Sequence, residues 1–278
     1  MTDQRKRARL REILGDPKGA IAPGVTDGLF ARLAQDCGYP TVHLSGNAIH
    51  KSFCLPDRNV LTVTQIAQRA AQISEATDIP LIVDGGPACI EEHALAQSVK
   101  LYERAGAAAI RFEDNLLNEY GGAAEELTIA PFSLMLDRIK TALDARADSA
   151  LVLIARCDAR PKESLAQVQE RLAAYAEAGA DAVGVQLSDL EEFRQIGAAA
   201  HAPLVGLWPR AKMTAPEFFA MGYRIGLIPS SVSLAAVAAA REMLLVLKEA
   251  GSEREYFAKV KDLPAIEQWF RRIGHERE

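Results

Sequence analysis

Acids and an arginine stand at the ends of apolar runs in this sequence, where side chains able to do chemistry are easiest to recognise. Asp84 closes "PLIVDG", Glu113 and Asp114 close "AAIRFED", and Arg156 with Asp158 close "ALVLIARCDA". Asp84 and Glu113 are hard oxygen donors of the kind that suits Mg2+. A guanidinium at the end of so apolar a run needs an anionic partner, and either a substrate carboxylate or Asp158 can supply one through a two-pronged fork. Ser45, Gly46 and Asn47, in "LSGN", offer backbone N–H groups and a hydroxyl to an oxyanion. His43 and His50 flank that loop. His43 shares a face with Ser45 two residues on, pointing inward, as an acid or base near neutral pH or as a packed core histidine. Gln186, Trp208, Arg210, Ser230 and Ser231 follow the later apolar runs in the same way.

Eight such runs exist: 20–25, 41–46, 80–85, 108–114, 150–159, 182–187, 202–208 and 224–230. They are apolar throughout rather than alternating, as parallel strands covered on both faces are. Segments with apolar residues at i, i+3, i+4 and i+7 separate them, among them "LTVTQIAQRAAQISEAT" and "KESLAQVQERLAAYAEAG". Thr62 and Ser188 are expected N-caps, and Gly106 and Gly179 expected left-handed C-caps. Strict strand and helix alternation predicts an α/β fold, a (β/α)8 TIM-type barrel with additional C-terminal helices. An open doubly wound sheet fits less well, because "APGVTDG" after the first run lacks a GxGxxG turn. The expected organisation is one barrel domain over 1–278, with 252–278 as a helical extension that packs on its own barrel or on a neighbouring subunit. In this fold the chemistry lies where strands pass into their following loops, which brings the residues above to one mouth.

A net charge of -5 gives no basic footprint for nucleic acid. No run reaches the roughly 18 apolar residues of a membrane span, and the charged start is neither signal peptide nor anchor, so a cytoplasmic protein is expected. Cys37, Cys54, Cys89 and Cys157 lack zinc-ligand spacing and are expected to be buried thiols.

The pieces "PGVTDGLFARLAQDCGYPTVHLSG", "LPDRNVLT", "PLIVDG", "ERAGAAAIRFED", "IARCDA", "YAEAGADAV" and "AMGYRIGLIPSSVSLAA" resemble the isocitrate lyase and phosphoenolpyruvate mutase superfamily, in unbroken order from about Pro23 to Gly251. They look closest to its short methylisocitrate lyase and oxaloacetate decarboxylase types. The resemblance implies a barrel with Mg2+ and a 2-keto or 2-hydroxy acid at the strand ends, reacting through an enolate. On it, Ser45, Gly46 and Asn47 match an "SGG"-like carboxylate loop, Asp57 in "LPD" a site acid, Asp84 the first acid of "DADTGFG", Glu113 the acid of "IED", and Arg156 the arginine of "ARTDA". Gly86 stands where the family has a second metal-site aspartate. "NEYGGAAEE" replaces the lyases' "KRCGH", putting Glu119 near the lysine and Gly121 at the cysteine. Ser231 stands where the decarboxylases carry a histidine, Gln186 where a glutamate is expected, and "GLWPR" where an asparagine is expected.

Three functions remain open. The first is a carbon–carbon bond lyase or decarboxylase acting on a small 2-hydroxy or 2-keto carboxylic acid. In it Arg156 and the 45–47 loop bind carboxylate, with Gln186, Trp208, Arg210 and Ser231 lining the substrate. Asp84 and Glu113 hold Mg2+, with Asp57 beside them, and Glu119, Tyr120 or His43 relays the proton. The second is carbon–phosphorus or metal-free hydrolytic or addition chemistry. The third is a non-catalytic carboxylate-binding barrel. In each the partner is a small acid, and the aromatic tail argues for a homodimer or homotetramer.

Overall fold

The computed structural model describes residues 1–56, 60–85, 92–116 and 128–275. Eight parallel strands close a barrel: β1 (Ala20–Val25), β2 (Val42–Leu44), β3 (Leu81–Asp84), β4 (Ala109–Glu113), β7 (Val152–Cys157), β8 (Ala182–Val185), β9 (Leu204–Leu207) and β10 (Tyr223–Ile228). Two short strands, β5 (Asn115–Leu116) and β6 (Thr128–Ile129), pair antiparallel after β4. The expected (β/α)8 fold is therefore present, and β10 closes it against β1.

Alternation along each strand sends side chains to two different places. Val42, Leu44, Leu81, Val83, Ile110, Phe112, Leu153 and Ala155 face the surrounding helices. Ala20, Ala22, Ile82, Ala109, Ile154, Val205 and Ile225 fill the barrel interior. The interior cluster also takes in Leu10, Ile13 and Leu14 of α1 (Asp3–Gly15), which therefore seals the N-terminal end of the barrel. Arg7 fixes that plug by donating to the Ala107 and Glu103 carbonyls at 3.1 and 2.7 Å and to Asp148 at 2.8 Å. Lys6 donates to the Ser74 carbonyl at 2.6 Å. The charged N-terminal segment reads as a plain amphipathic helix in sequence, so its plugging role is a finding of the structure.

The helices of this unit are α2 (Gly28–Asp36), α3 (Gly46–Ser52), α4 (Val63–Ala76), α5 (Glu92–Arg104), α6 (Phe132–Ala145), α7 (Leu165–Glu177), α8 (Leu190–Ala199) and α9 (Ala215–Ala220). Thr62 caps α4 in a reciprocal box with Gln65, as expected. The cap of α8 is Asp189 rather than Ser188, since the Asp189 carboxylate accepts the Glu191 and Glu192 N–H groups. Gly106 and Gly179 take positive φ, +81° and +104°, so both end their helices in the left-handed region expected of them.

The chain divides into two units, 1–232 and 233–278. The second comprises most of α10 (Ser231–Ala250), with α11 (Arg254–Phe257) and α12 (Leu263–His275). On α10 the apolar side chains of Leu234, Val237, Leu244, Leu245 and Leu247 are exposed. Among the described residues no helix is long and apolar enough to cross a membrane. Cys157 is buried as expected, whereas Cys37 and Cys54 are exposed; Cys89 lies outside the described residues.

Candidate active site

The same alternation that packs the lower barrel carries charge into its upper end. Asp84, Arg111, Glu113 and Arg156 occupy inward positions one or two steps beyond the apolar interior set. Register pairs them across neighbouring strands, Asp84 of β3 beside Arg111 of β4 and Glu113 of β4 beside Arg156 of β7. Arg111 Nη2 donates to Asp84 Oδ2 at 2.7 Å. The Gly46 N–H reaches the same oxygen at 3.2 Å, and a Cβ on Gly46 would stand just as close to it. Arg156 forks Asp158, Nε to Oδ1 at 2.7 Å and Nη2 to Oδ2 at 2.5 Å. Asp158 is one of the two partners open to Arg156 in the sequence. Arg156 Nη2 also lies 2.6 Å from Glu113 Oε2, an ion pair off the hydrogen-bond direction, since that oxygen has no hydrogen-bond donor among the described residues. Asn115 Nδ2 completes the cluster, donating to Asp158 Oδ2 at 3.0 Å.

These contacts set the charges. Burial works against the Asp84 carboxylate, but Arg111 and Arg156 outweigh it and hold its carboxyl well below the usual carboxylate range. Glu113 goes the other way. Burial pushes its carboxyl up to about 7, because the Arg156 charge that opposes the shift is shared with Asp158, itself a repelling neighbour. Glu113 therefore gains and loses a proton near neutrality, the range suited to acid or base work.

His43 lies inward on β2, fully buried, and neither ring nitrogen has a hydrogen-bond partner among the described residues. Burial, reinforced by the Arg111 charge, pulls it down to about 3, so it is neutral at physiological pH. The unfolded chain takes up a proton at this histidine below pH 6.5, and the folded chain does not until about pH 3. Its stability contribution is thus complete above pH 6.5 and lost as pH falls, by about 2 kcal/mol between pH 7 and 5. Thermal unfolding of wild type and His43→Asn across that interval should show the variant with the flatter dependence; parallel curves would refute the assignment.

The other predicted residues are placed as follows. Ser45 is buried and caps α3. Asn47 accepts a hydrogen bond from Ser230 at 3.1 Å. The Ser231 hydroxyl is buried without a partner among the described residues. His50 is structural: Leu61 N–H donates to its Nε2 at 3.3 Å, so its Nδ1 carries the proton toward the Gly46 carbonyl at 2.7 Å. Trp208 stands apart from the cluster, since its neighbour Leu207 takes the inward place. Its ring packs on the outer core and its Nε1 donates to the Met213 carbonyl at 3.2 Å. Gln186 and Arg210 are exposed. Asp114, adjacent to Glu113, points outward into a structural network and is no site acid: it accepts from the Asp158 N–H and the Tyr175 hydroxyl, each at 2.7 Å. Asp57, Glu119 and Tyr120 lie outside the described residues, as does Gly86.

Arg111 and Asn115 belong to the cluster and are absent from the predicted set. Arg111 carries the same signal that singles out Arg156, a guanidinium within an apolar strand at an inward position.

A family model described as phosphoenolpyruvate phosphomutase matches residues 10–247. The chain belongs to this family. It is 31% identical over 256 residues to the 2-methylisocitrate lyase of Aeropyrum pernix, covering 90% of this chain and 82% of that one. It is 30% identical over 249 residues to the 2,3-dimethylmalate lyase of Eubacterium barkeri, covering 87% and 86%. A phosphonopyruvate hydrolase solved with oxalate and Mg2+ superposes with a TM-score of 0.84 at 26% identity over the whole of both chains. With relatives of this kind, the present phosphoenolpyruvate phosphomutase family member is an enzyme of the lyase type.

The Mg2+ that membership implies does not fit the described donors. Magnesium takes a near-octahedral set of oxygens, usually one or two carboxylates with waters and substrate oxygens. Here Asp84 is engaged by Arg111 and Glu113 by Arg156, each guanidinium within 2.7 Å. Position 86, which would supply the second acid, is glycine. Among the described residues no group of three acid, histidine or cysteine side chains is placed to hold a metal ion.

Proposed function

We propose that this protein is a carbon–carbon bond lyase or decarboxylase for a small 2-hydroxy or 2-keto carboxylic acid. The observation that carries this reading is the inward pair of arginines on β4 and β7, interlocked with Asp84, Glu113 and Asp158 at the C-terminal end of the barrel. Two desolvated guanidiniums at this mouth give an acid substrate fixed donors for the negative charge its reaction develops on oxygen. The lyase relatives support the same chemistry.

From a 2-hydroxy diacid, a base removes the hydroxyl proton and the C2–C3 bond breaks. The O–H pair becomes the carbonyl of a departing 2-keto acid, and the C2–C3 pair passes to the carboxylate on C3 as an enolate-type oxyanion. From a 2-keto diacid, loss of CO2 leaves the pair on the 2-oxygen. Either enolate is quenched by one proton on carbon.

In our reading Arg156 and the Ser45–Gly46–Asn47 loop orient the substrate carboxylate, and Glu113 moves the proton because its affinity lies near neutrality. His43, held neutral, donates or accepts a hydrogen bond. Glu119 or Tyr120 delivers the proton to carbon, and Asp57, Gln186, Arg210 and Ser231 complete the substrate's surroundings. The exposed apolar side chains of α10 support self-association as a homodimer or homotetramer.

The test is release of a 2-keto acid from 2-methylisocitrate, 2,3-dimethylmalate and oxaloacetate, assayed in parallel on protein whose assembly state is read by sedimentation velocity. One of the three should turn over with kcat/KM above about 10^4 per molar per second, the low end for natural enzymes. No turnover of any would refute the reading, and a monomer would refute self-association.

A further inference from the structure

We infer that the Arg111 guanidinium holds the place of the divalent cation in this protein, so that the oxyanion is received by Arg111 and His43 with no metal ion between. This rests on the lyase reading for the identity of the anion, and on the geometry alone for the absence of a metal.

Position and charge argue for it first. Arg111 sits inward on β4, in register with Asp84, and places its Nη2 2.7 Å from the carboxylate oxygen that the resemblance assigns to metal binding. Its side chain is 5% exposed. An arginine stays protonated at any working pH, so this positive charge is permanent. With glycine at 86, the described carboxylates here are Asp84, Glu113 and Asp158, and the guanidiniums of Arg111 and Arg156 already pair with all three. A divalent ion entering beside Asp84 would meet Arg111 and Arg156 at close range in a low-dielectric site, and like charges there repel strongly.

The second argument is unspent hydrogen-bonding capacity. Arg111 Nε is buried with no partner among the described residues, and so are both ring nitrogens of His43 on β2. A buried donor left unpaired costs on the order of 1–3 kcal/mol, more when charged. Three unpaired nitrogens on two neighbouring inward side chains are a cost that a bound polar molecule relieves. A planar, oxygen-rich dianion satisfies two of them: one oxygen accepts from Arg111 Nε–H and another from the single N–H of the neutral imidazole, whose second nitrogen is an acceptor. The enolate of a 2-keto acid has that form, and oxalate is its stable analogue.

The experiment pairs calorimetry of oxalate binding, in EDTA and in Mg2+, with an electron paramagnetic resonance titration of Mn2+. Oxalate should bind with the same affinity in both conditions, and Mn2+ should stay free. Arg111→Met should weaken oxalate binding about 10- to 100-fold in EDTA, the loss expected for a charged hydrogen bond. Arg111→Lys, which keeps the charge and loses the fork, should fall between the two. Circular dichroism verifies that each variant is folded; if neither folds, the wild-type comparison decides alone. Loss of oxalate binding in EDTA, or one Mn2+ bound per chain, would overturn the inference. Oxalate bound in neither condition would overturn it too, and turnover of one of the three acids would then show the lyase reading intact.

Discussion

Arg156→Ala is expected to lower kcat/KM about a thousandfold, the loss that follows removal of a principal oxyanion or carboxylate donor. It is also expected to lower folding stability by about 3–5 kcal/mol, because breaking a buried pair from one side strands its partner. The geometry gives the reason for both. One guanidinium serves two carboxylates, forking Asp158 and lying 2.6 Å from Glu113. Without it two buried acids face each other, and Glu113, already pushed up by burial, loses the charge that opposes the shift. Arg156→Lys restores the charge without the fork and should recover most of the stability and little of the activity. Urea denaturation and steady-state kinetics on the two variants separate these roles. Equal kinetic losses without any loss of stability in Arg156→Ala would show that the network is not coupled as described.

Asp114→Ala is expected to cost about 3–5 kcal/mol, although Asp114 touches nothing that reacts. Its carboxylate accepts from the Asp158 N–H and the Tyr175 hydroxyl, with Arg171 Nη1 3.7 Å away, and it is fully buried. Removing it leaves a buried amide and a phenol without their acceptor, while Arg171 keeps its fork with Glu163. Asp158, whose backbone it fixes, then holds Arg156 less well, so activity should fall with stability. A denaturation midpoint within error of wild type would refute this role.

The barrel was legible because its signal is repeated eight times: apolar runs of strand length, each followed by helical periodicity, admit few other folds. The site was legible in part for a related reason. Once a residue is known to end an inward-facing strand, its chemistry follows from its type, and this puts Asp84, Glu113 and Arg156 at one end, where their strands carry them inward. Sequence could not say which neighbour serves which partner. Glu113 and Asp114 are adjacent and equally acidic, and β-strand parity alone sends one into the mouth and the other into the outer shell. The same parity sets Trp208 apart from the cluster, since its strand turns Leu207 inward. Arg111 carries no strand-end signal, because it sits two residues before Glu113 on the same face.

The sealed lower barrel has a consequence for how this protein could change over generations. Leu10, Ile13 and Leu14 close a set of apolar layers that owe nothing to the mouth. A share of the stability therefore resides at the lower end, independent of the share that the Arg156 and Asp114 networks hold at the upper end. An exchange at Arg111 alters the upper end and leaves that reserve untouched. Evolutionary tolerance of this kind lets a lineage exchange one source of positive charge for another without passing through an unfolded ancestor.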